Sequence, residues 1–267
     1  MIKINHILKL FLVTLVMAMS TTISHAESTM EKIVKSGKIT IAVQTQGPPV
    51  SFVDKAGKRT GLAIEIAELM AKDMGVKLVI QDYDWKGLIP ALTSGKADFI
   101  AADMTPTAKR HMQIIFTEPV FFSETIAFAL KSKGYSKWQD LNNDKLSVGA
   151  TQASSFADVA KKYISKAKLK EYSGGTAQTV QSVAAGRVDG AISDKANVAS
   201  FISSNDKLMV LEGTITKEPL GFAVRPDSLH LLHSLNNYMR LIRYDGRLDK
   251  LLAYWWTSTA WQADHNK

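Results

Sequence analysis

One short phrase occurs twice in the sequence, and this repeat restricts the possible architectures. It reads "GKADFIAAD" at 95–103 and "GRVDGAISD" at 186–194. In both copies a glycine is followed three residues later by an aspartate and five residues after that by a second aspartate. The small and apolar residues between the two aspartates are typical of a buried strand. We therefore expect two lobes of related design, each containing one such strand.

The first 26 residues have the pattern of a secretory signal peptide. Two lysines precede a short apolar run at 10–19, which is about half of the ~20 apolar residues that a membrane span requires. Small residues end the segment at Ala26, so we expect cleavage before Glu27. The chain has no cysteine, which excludes both a disulfide framework and a lipid-modified cysteine. We predict a periplasmic protein, secreted through its signal peptide and without a membrane anchor.

Composition and motif content disfavour several classes of function. The chain has 33 basic and 25 acidic residues, and loss of residues 1–26 would leave 31 against 25, a formal charge of +6. The lysines are scattered, with no basic run interleaved with aromatic residues, so we expect no nucleic-acid partner. His230 and His233 share a predicted helix face without a third ligand nearby, so we expect no metal site. We also predict no cofactor and no catalytic residue, because neither a catalytic triad nor a glycine-rich phosphate loop is recognisable.

Short strands and helices alternate along the chain, which predicts an α/β fold with mostly parallel sheets. The first series contains the strands 38–44, 76–83 and 97–103 and the helices 61–75 and 85–95. A second series begins near residue 145. The helical stretch at 229–256 has no lobe of its own, so we expect it to pack on the first lobe. The chain lacks a low-complexity linker, which favours lobes that are joined by crossing strands.

The two repeated strands end in aspartates that we expect to face a cleft between the lobes. In open parallel sheets, ligands bind beyond the carboxyl ends of the strands. Asp103 and Asp194 each end a predicted strand, one in each lobe, so both should lie at the cleft. Asp98 and Asp189 lie at the strand starts on the far side, where we expect them to act as turn or capping groups.

Two helix starts add groups that suit an anionic ligand. Thr107 can cap a short helix whose first turn contains Arg110, a residue with a planar fork of donors. Ser154 and Ser155 precede a helix of the second lobe and present hydroxyl and N–H groups at its positive end. The alternatives are a surface arginine and two ordinary capping serines. Beside a terminal aspartate, such an anion site would suit the zwitterion of an α-amino acid.

Several motifs in the same order resemble one protein family. The stretch "DYDWKGLIPALTSGKADFIAADMTPTAKRHMQIIFTEP" at 82–119 is similar to the core signature of the family 3 extracellular solute-binding proteins, the polar amino-acid receptors of ABC importers. Further similar segments are "AAGRVDGAISD" at 184–194 and "EPLGFAVRPD" at 218–227. The resemblance implies a two-lobe, periplasmic-binding-protein-like (type II) fold that binds an amino acid and catalyses no reaction. It also implies a membrane permease as partner, and we expect a monomer.

The same resemblance implies how the chain divides. Lobe 1 would contain residues 27–121 and 220–267, and lobe 2 residues 124–217. The hinge strands would cross between the lobes near 120–124 and 220–224. The cleft would then close on its ligand like a hinged trap.

The resemblance also implies roles for individual residues. Arg110 matches the arginine that grips the ligand α-carboxylate, and Thr105 matches the hydroxyl residue that assists it. Ser155, with Ser154 beside it, matches the second-lobe residue that closes on the same carboxylate. Asp194 matches the acid that takes the α-ammonium group.

Other positions bear on the ligand side chain. Trp85 matches the aromatic position that stacks on the apolar part of the ligand. Gln44 replaces an acid or another polar group, Gly47 falls where many relatives have an aromatic lid, and Ala153 occupies a position usually held by glycine. Asp103 stands where relatives usually have Gly or Ser, and an acid there favours an extra ligand cation. No acid at 44 or 47 would meet a long basic side chain, so the sequence favours a polar, uncharged or small amino acid.

An enzyme on the same scaffold is the main alternative, because some relatives of this fold are dehydratases of cyclohexadienyl acids such as arogenate. Such a site needs a general acid within reach of a leaving group, and Asp103 is the one unusual acid in the predicted site. Its other possible role is to bind an ammonium group. The aspartate at 194 suits an amine, which favours binding over catalysis.

Overall fold

The computed structural model describes residues 27–265, so the predicted signal peptide lies outside the described residues. The strands, in chain order, are β1 (Lys38–Gln44), β2 (Phe52–Val53), β3 (Arg59–Thr60), β4 (Lys77–Tyr83), β5 (Phe99–Met104), β6 (Ile115–Phe116), β7 (Phe121–Leu130), β8 (Ser147–Thr151), β9 (Lys168–Tyr172), β10 (Gly190–Asp194), β11 (Leu208–Val210) and β12 (Thr216–Val224). The α-helices are α1 (Thr29–Ser36), α2 (Leu62–Met74), α3 (Leu88–Thr93), α4 (Ala108–His111), α5 (Ser155–Tyr163), α6 (Gly175–Ala184), α7 (Lys195–Ile202), α8 (Leu229–Tyr244), α9 (Arg247–Leu251) and α10 (Trp261–His265). No helix within residues 27–265 is long and apolar enough to cross a membrane.

Two parallel units with the same strand order form the framework. In the first unit β1 lies between β4 and β5, and in the second β8 lies between β9 and β10. In both units the strand that comes first along the chain is central, and the next two flank it. This equivalence confirms the two lobes of related design that the repeated phrase predicts.

Two long antiparallel strands join the units. β12 pairs with β5 of the first unit, and β7 pairs with β10 of the second. The two strands also pair with each other, residues 121–125 against 216–220. The predicted two-lobe α/β fold, with mostly parallel sheets joined by two crossing strands, is therefore confirmed.

Helices cover both faces of each parallel unit. In the first unit, Ile66 of α2 and Leu88 of α3 belong to hydrophobic clusters on opposite faces of the sheet. In the second, Val159 of α5 and Val183 of α6 do the same. The strands β5 and β10 are nearly continuous runs of buried residues, as expected for parallel strands covered on both sides.

The repeated phrase has the same structural role in both lobes. Each copy begins with a glycine in the left-handed region, at φ +75° and +67°, where a side chain is disfavoured. Oδ2 of Asp98 accepts a hydrogen bond from the N–H of Thr40 in β1 at 2.7 Å. Oδ2 of Asp189 accepts one from the N–H of Ser147 in β8 at 2.9 Å. These two aspartates thus tie neighbouring strands together, so their role is structural, as predicted, but they bond to a neighbouring strand and not within a turn or at a helix cap.

The C-terminal helices pack on the first lobe, as predicted. Trp255 lies in a π-helical turn, Leu252–Thr257, and is fully buried. Its ring centre lies 6.0 Å from that of Phe52 and 5.8 Å from that of Trp261. The aromatic cluster therefore fixes the end of the chain to the first lobe.

We expect Trp255→Ala to lower the free energy of unfolding by about 3–5 kcal/mol, because it removes a large buried side chain and leaves a cavity. Tyr244→Ala is the matched control, since Tyr244 is 89% exposed and its loss should change the free energy by less than about 0.5 kcal/mol. Urea unfolding followed by circular dichroism measures both values. Equal effects of the two substitutions would contradict this account of the C-terminal packing.

Candidate functional site

Arg110 is buried between the two lobes, with 7% of its surface exposed. Thr107 caps α4 as predicted, because its Oγ1 accepts a hydrogen bond from the N–H of Arg110 at 3.3 Å. The guanidinium donates to the carbonyl oxygens of Thr105 at 2.8 Å and Ala153 at 3.1 Å. Its central carbon lies 5.6 Å from the centre of the Trp85 ring. One short capped helix thus places a cation where the lobes meet.

The charge of Arg110 has no carboxylate partner at ion-pair distance within residues 27–265. Burial lowers the pKa of Arg110, and the more distant charges of Glu218, Asp158 and Asp103 oppose this shift. A buried charge without a partner is costly, whereas the fork of a guanidinium matches a carboxylate well. The environment of Arg110 is therefore suited to an anionic ligand.

Asp194 ends β10 and caps α7, and it is 1% exposed. Its Oδ1 accepts hydrogen bonds from the N–H groups of Ala196 at 2.7 Å and Asn197 at 3.1 Å. Its Oδ2 accepts one from the hydroxyl of Ser123 on β7. Burial raises the pKa of Asp194 to about 7, and the charge of Asp103 adds to the rise while the Ser123 hydrogen bond opposes it. A ligand cation beside Asp194 would stabilise its ionised form.

Asp103, near the end of β5 in the first lobe, contacts a residue of the second lobe. β5 continues one residue beyond Asp103, to Met104, so Asp103 is the penultimate residue of its strand and does not end it as predicted. Oδ2 of Asp103 accepts a hydrogen bond from Nδ2 of Asn197 at 3.0 Å. Burial raises the pKa of Asp103, and this hydrogen bond opposes the rise. A single residue, Asn197, therefore contacts both aspartates.

Thr105 connects the lobes through its hydroxyl group. Its Oγ1 lies 3.2 Å from Oγ of Ser155 and donates to Oε2 of Glu218 at 2.7 Å. Glu218, on β12, is 9% exposed and also accepts from the hydroxyls of Thr125 at 3.4 Å and Thr216 at 3.0 Å. Sequence reasoning did not nominate Glu218, although an acid in the otherwise apolar segment "EPLGF" is a signal of a buried polar role.

A narrow cavity of about 20 Å³ lies between the lobes. It is lined by Gln44, Trp85, Asp103, Thr151, Ser154, Ser155, Phe156, Thr176 and Asn197. Five of these nine are predicted site residues. Thr105, Arg110 and Asp194 lie behind the lining, in contact with Ser155, Trp85 and Asn197 respectively. The four lining residues that were not predicted lie at a strand end or in the first turn of a helix of the second lobe. Asp194 was located by the rule that ligands bind beyond the carboxyl ends of parallel strands, and the same rule applies to these four.

Gln44 occupies a narrow space between two glycines and is 7% exposed. A Cβ atom on Gly47 would lie 2.5 Å from its Oε1, and a Cβ atom on Gly175, in the other lobe, would lie 2.2 Å from its Nε2. Nε1 of Trp85 donates to the carbonyl oxygen of Ala153 at 3.3 Å, which is a second contact between the lobes. The absence of side chains at Gly47 and Gly175 therefore allows Gln44 to lie this close to both lobes.

Ser154 precedes α5 but does not cap it with its side chain. Its hydroxyl instead donates to the carbonyl oxygen of Thr151 at 2.6 Å. Because the hydroxyl proton is used in this bond, the oxygen can still accept a hydrogen bond but cannot donate a second one.

Asp194 also lines a larger cavity of about 460 Å³, beside the C-terminal segment. The one cation in its lining, Lys195, is already paired with Glu124 at 2.8 Å. A carboxylate would therefore find a less suitable partner there than at Arg110. Across residues 27–265, no group of three or more His, Cys, Asp or Glu residues is arranged to hold a metal ion.

Comparison with known proteins agrees with the motifs. A probable amino-acid ABC transporter-binding protein of Haemophilus influenzae is 26% identical over 238 residues, which cover 88% of this chain and 91% of that protein. The crystal structure of an ancestral amino acid-binding protein, described as a precursor of cyclohexadienyl dehydratase, is 32% identical with a TM-score of 0.79 and covers 85% of this chain and 99% of its own. A putative ABC transporter binding component from Wolinella succinogenes, complexed with lysine, is 31% identical with the same TM-score of 0.79 and the same coverage of 85% and 99%. The model of the bacterial extracellular solute-binding proteins, family 3, matches residues 39–258, and the chain belongs to this family.

Proposed function

We propose that the protein is a periplasmic substrate-binding protein that captures an amino acid in the cleft between its lobes and delivers it to the membrane permease of an ABC transporter. The family and the names of its relatives as amino-acid binding proteins support this proposal. The residues that we assign to ligand binding are Arg110, Asp194, Thr105, Asp103, Trp85, Ser155, Ser154 and Gln44.

The buried guanidinium of Arg110 is the observation that carries the proposal. It donates to two carbonyl oxygens, one from each lobe, and has no ion pair within residues 27–265. The α-carboxylate of an amino acid would supply the missing charge. The hydroxyls of Thr105 and Ser155, 3.2 Å apart across the cleft, are positioned to assist it.

Asp194 supplies the complementary charge for the α-ammonium group. It stands at the carboxyl end of β10, and its pKa of about 7 leaves it easily ionised by a nearby cation. A zwitterion between Arg110 and Asp194 would therefore neutralise both buried groups.

The remaining features of the proposal follow from the sequence and the family. Residues 1–26 direct export, and the secreted protein acts as a monomer without a membrane anchor. Lobe 1 contains residues 27–121 and 220–267, and lobe 2 residues 124–217. The crossing segments near 120–124 and 220–224 form the hinge about which the cleft closes on the ligand.

The enzymatic alternative rests on Asp103, whose pKa burial raises as a general acid would require. The same carboxylate is held by Asn197 at 3.0 Å, and an acidic partner for an amine is present at Asp194. These contacts favour a role in binding. Incubation with prephenate or arogenate is the control, and we expect no product to form.

A thermal-shift screen of the common amino acids identifies the ligand, because a ligand at a hundred times its Kd should stabilise the fold by about 2.7 kcal/mol. Arg110→Ala should then weaken binding of that ligand by about thirty-fold to several thousand-fold, since stranding one member of a buried charge pair costs roughly 2–5 kcal/mol. Arg110→Lys should restore little, because a point charge cannot make the two-pronged contact.

Calorimetry on folded variants measures these affinities, and Arg187→Ala is the matched control because Arg187 is exposed. If Arg110→Ala binds the ligand within about threefold of the parent, the carboxylate is bound elsewhere and the proposal is wrong.

Ligand affinity should depend on pH through Asp194. Burial raises the pKa of Asp194 to about 7 in the closed arrangement, so below that pH a proton competes with the ligand's ammonium group for its carboxylate. The Kd should therefore rise as the pH falls through 7, by up to about tenfold per pH unit. Asp194→Asn should reduce the dependence of the Kd on pH, and the dependence that remains should come from Asp103. Calorimetry between pH 5 and pH 8 tests this prediction, and a constant Kd in the parent protein would contradict it.

A further inference from the structure

The charges around the cavity do not balance. Asp103 lines it, Arg110 and Asp194 contact lining residues, and none of the three forms an ion pair within residues 27–265. When ionised, they are two carboxylates and one guanidinium, an excess of one negative charge. The zwitterionic part of an amino acid adds one charge of each sign, so it leaves that excess unchanged.

We propose that the ligand is an amino acid with a positively charged side chain. This inference rests on the proposed function, and it concerns the part of the ligand beyond the α-carbon. A cationic side chain reduces the negative excess, a neutral one leaves it, and an acidic one increases it. Since buried charges of one sign repel strongly when water is excluded, the cavity should rank ligands in that order.

Asn197 provides evidence that is independent of the acid count. It is 2% exposed and lines the cavity. Its Nδ2 is used in the bond to Asp103, while its Oδ1 has no hydrogen-bond partner within the described residues. A buried amide oxygen without a donor is costly, so a ligand N–H group at this position would stabilise the bound state. Asp103 and Asn197 together therefore present acceptors to one region of the cavity.

The rest of the lining also suits a cation. The hydroxyl of Ser154 already donates to Thr151, which leaves its oxygen as an acceptor. The ring of Trp85 offers an aromatic face, which attracts ammonium and guanidinium groups. The sequence favoured an uncharged ligand because positions 44 and 47 carry no acid. In the structure the acid that lines the cavity comes from position 103.

Pairs of ligands that match in shape and differ in charge test this inference. Calorimetry at pH 8 compares L-arginine with L-citrulline and L-lysine with L-norleucine. The parent protein should bind at least one cationic member at least tenfold more tightly than its neutral counterpart. Asp103→Asn should reduce that ratio at least fivefold, and Asp206→Asn, which removes an exposed acid, should leave the ratio within twofold of the parent.

The outcomes distinguish failure of this inference from failure of the proposed function. If a neutral amino acid binds as tightly as the cationic ones, in an Arg110-dependent manner, the inference is wrong and the proposed function stands. If no amino acid binds, both fail. Should Asp103→Asn not fold, as judged by circular dichroism, Asp103→Ser replaces it, and the comparison of ligand pairs in the parent protein decides by itself.

Discussion

The site depends on one buried guanidinium that is incompletely neutralised. Arg110 comes from lobe 1, yet it donates to a carbonyl oxygen of each lobe, at Thr105 and at Ala153. Carbonyl dipoles satisfy its donors but do not cancel its charge. The closed arrangement therefore needs an anion, and the hydroxyl groups of Thr105 and Ser155 lie where the lobes meet. This requirement connects the chemistry of the ligand to the closure of the cleft.

In the second lobe, Arg110 donates to the carbonyl oxygen of Ala153, a residue with an unusual backbone conformation. Ala153 has φ +59°, in the left-handed region that costs a non-glycine residue roughly 1–2 kcal/mol. Its carbonyl oxygen accepts hydrogen bonds from both Arg110 and Trp85, at 3.1 Å and 3.3 Å. The strained turn thus directs one acceptor towards two donors of the first lobe, and these contacts offset its cost.

Much of this arrangement was predictable because its signals are local. The repeated phrase indicated the strands β5 and β10, and the roles of Asp98 and Asp189 follow from their places at the strand starts. The cap at Thr107 indicated where the helix that contains Arg110 begins.

The rest depends on pairing between distant segments. Glu218 contacts Thr105 because β12 pairs with β7 and β5, and Asn197 enters the site because its Nδ2 lies 3.0 Å from Oδ2 of Asp103 in the other lobe. Neither contact can be predicted from a local sequence pattern, because the residues involved are far apart along the chain. The sequence therefore marks Asp103 as unusual but does not identify Asn197 as its partner.

A crystal structure of the protein with its amino acid bound tests the central claim most directly. The account predicts the ligand between the lobes, with its α-carboxylate in contact with the guanidinium of Arg110 and its α-ammonium group at the carboxylate of Asp194. It would be contradicted by a ligand bound in the larger cavity beside the C-terminal segment, or by one bound in the cleft without contact to Arg110.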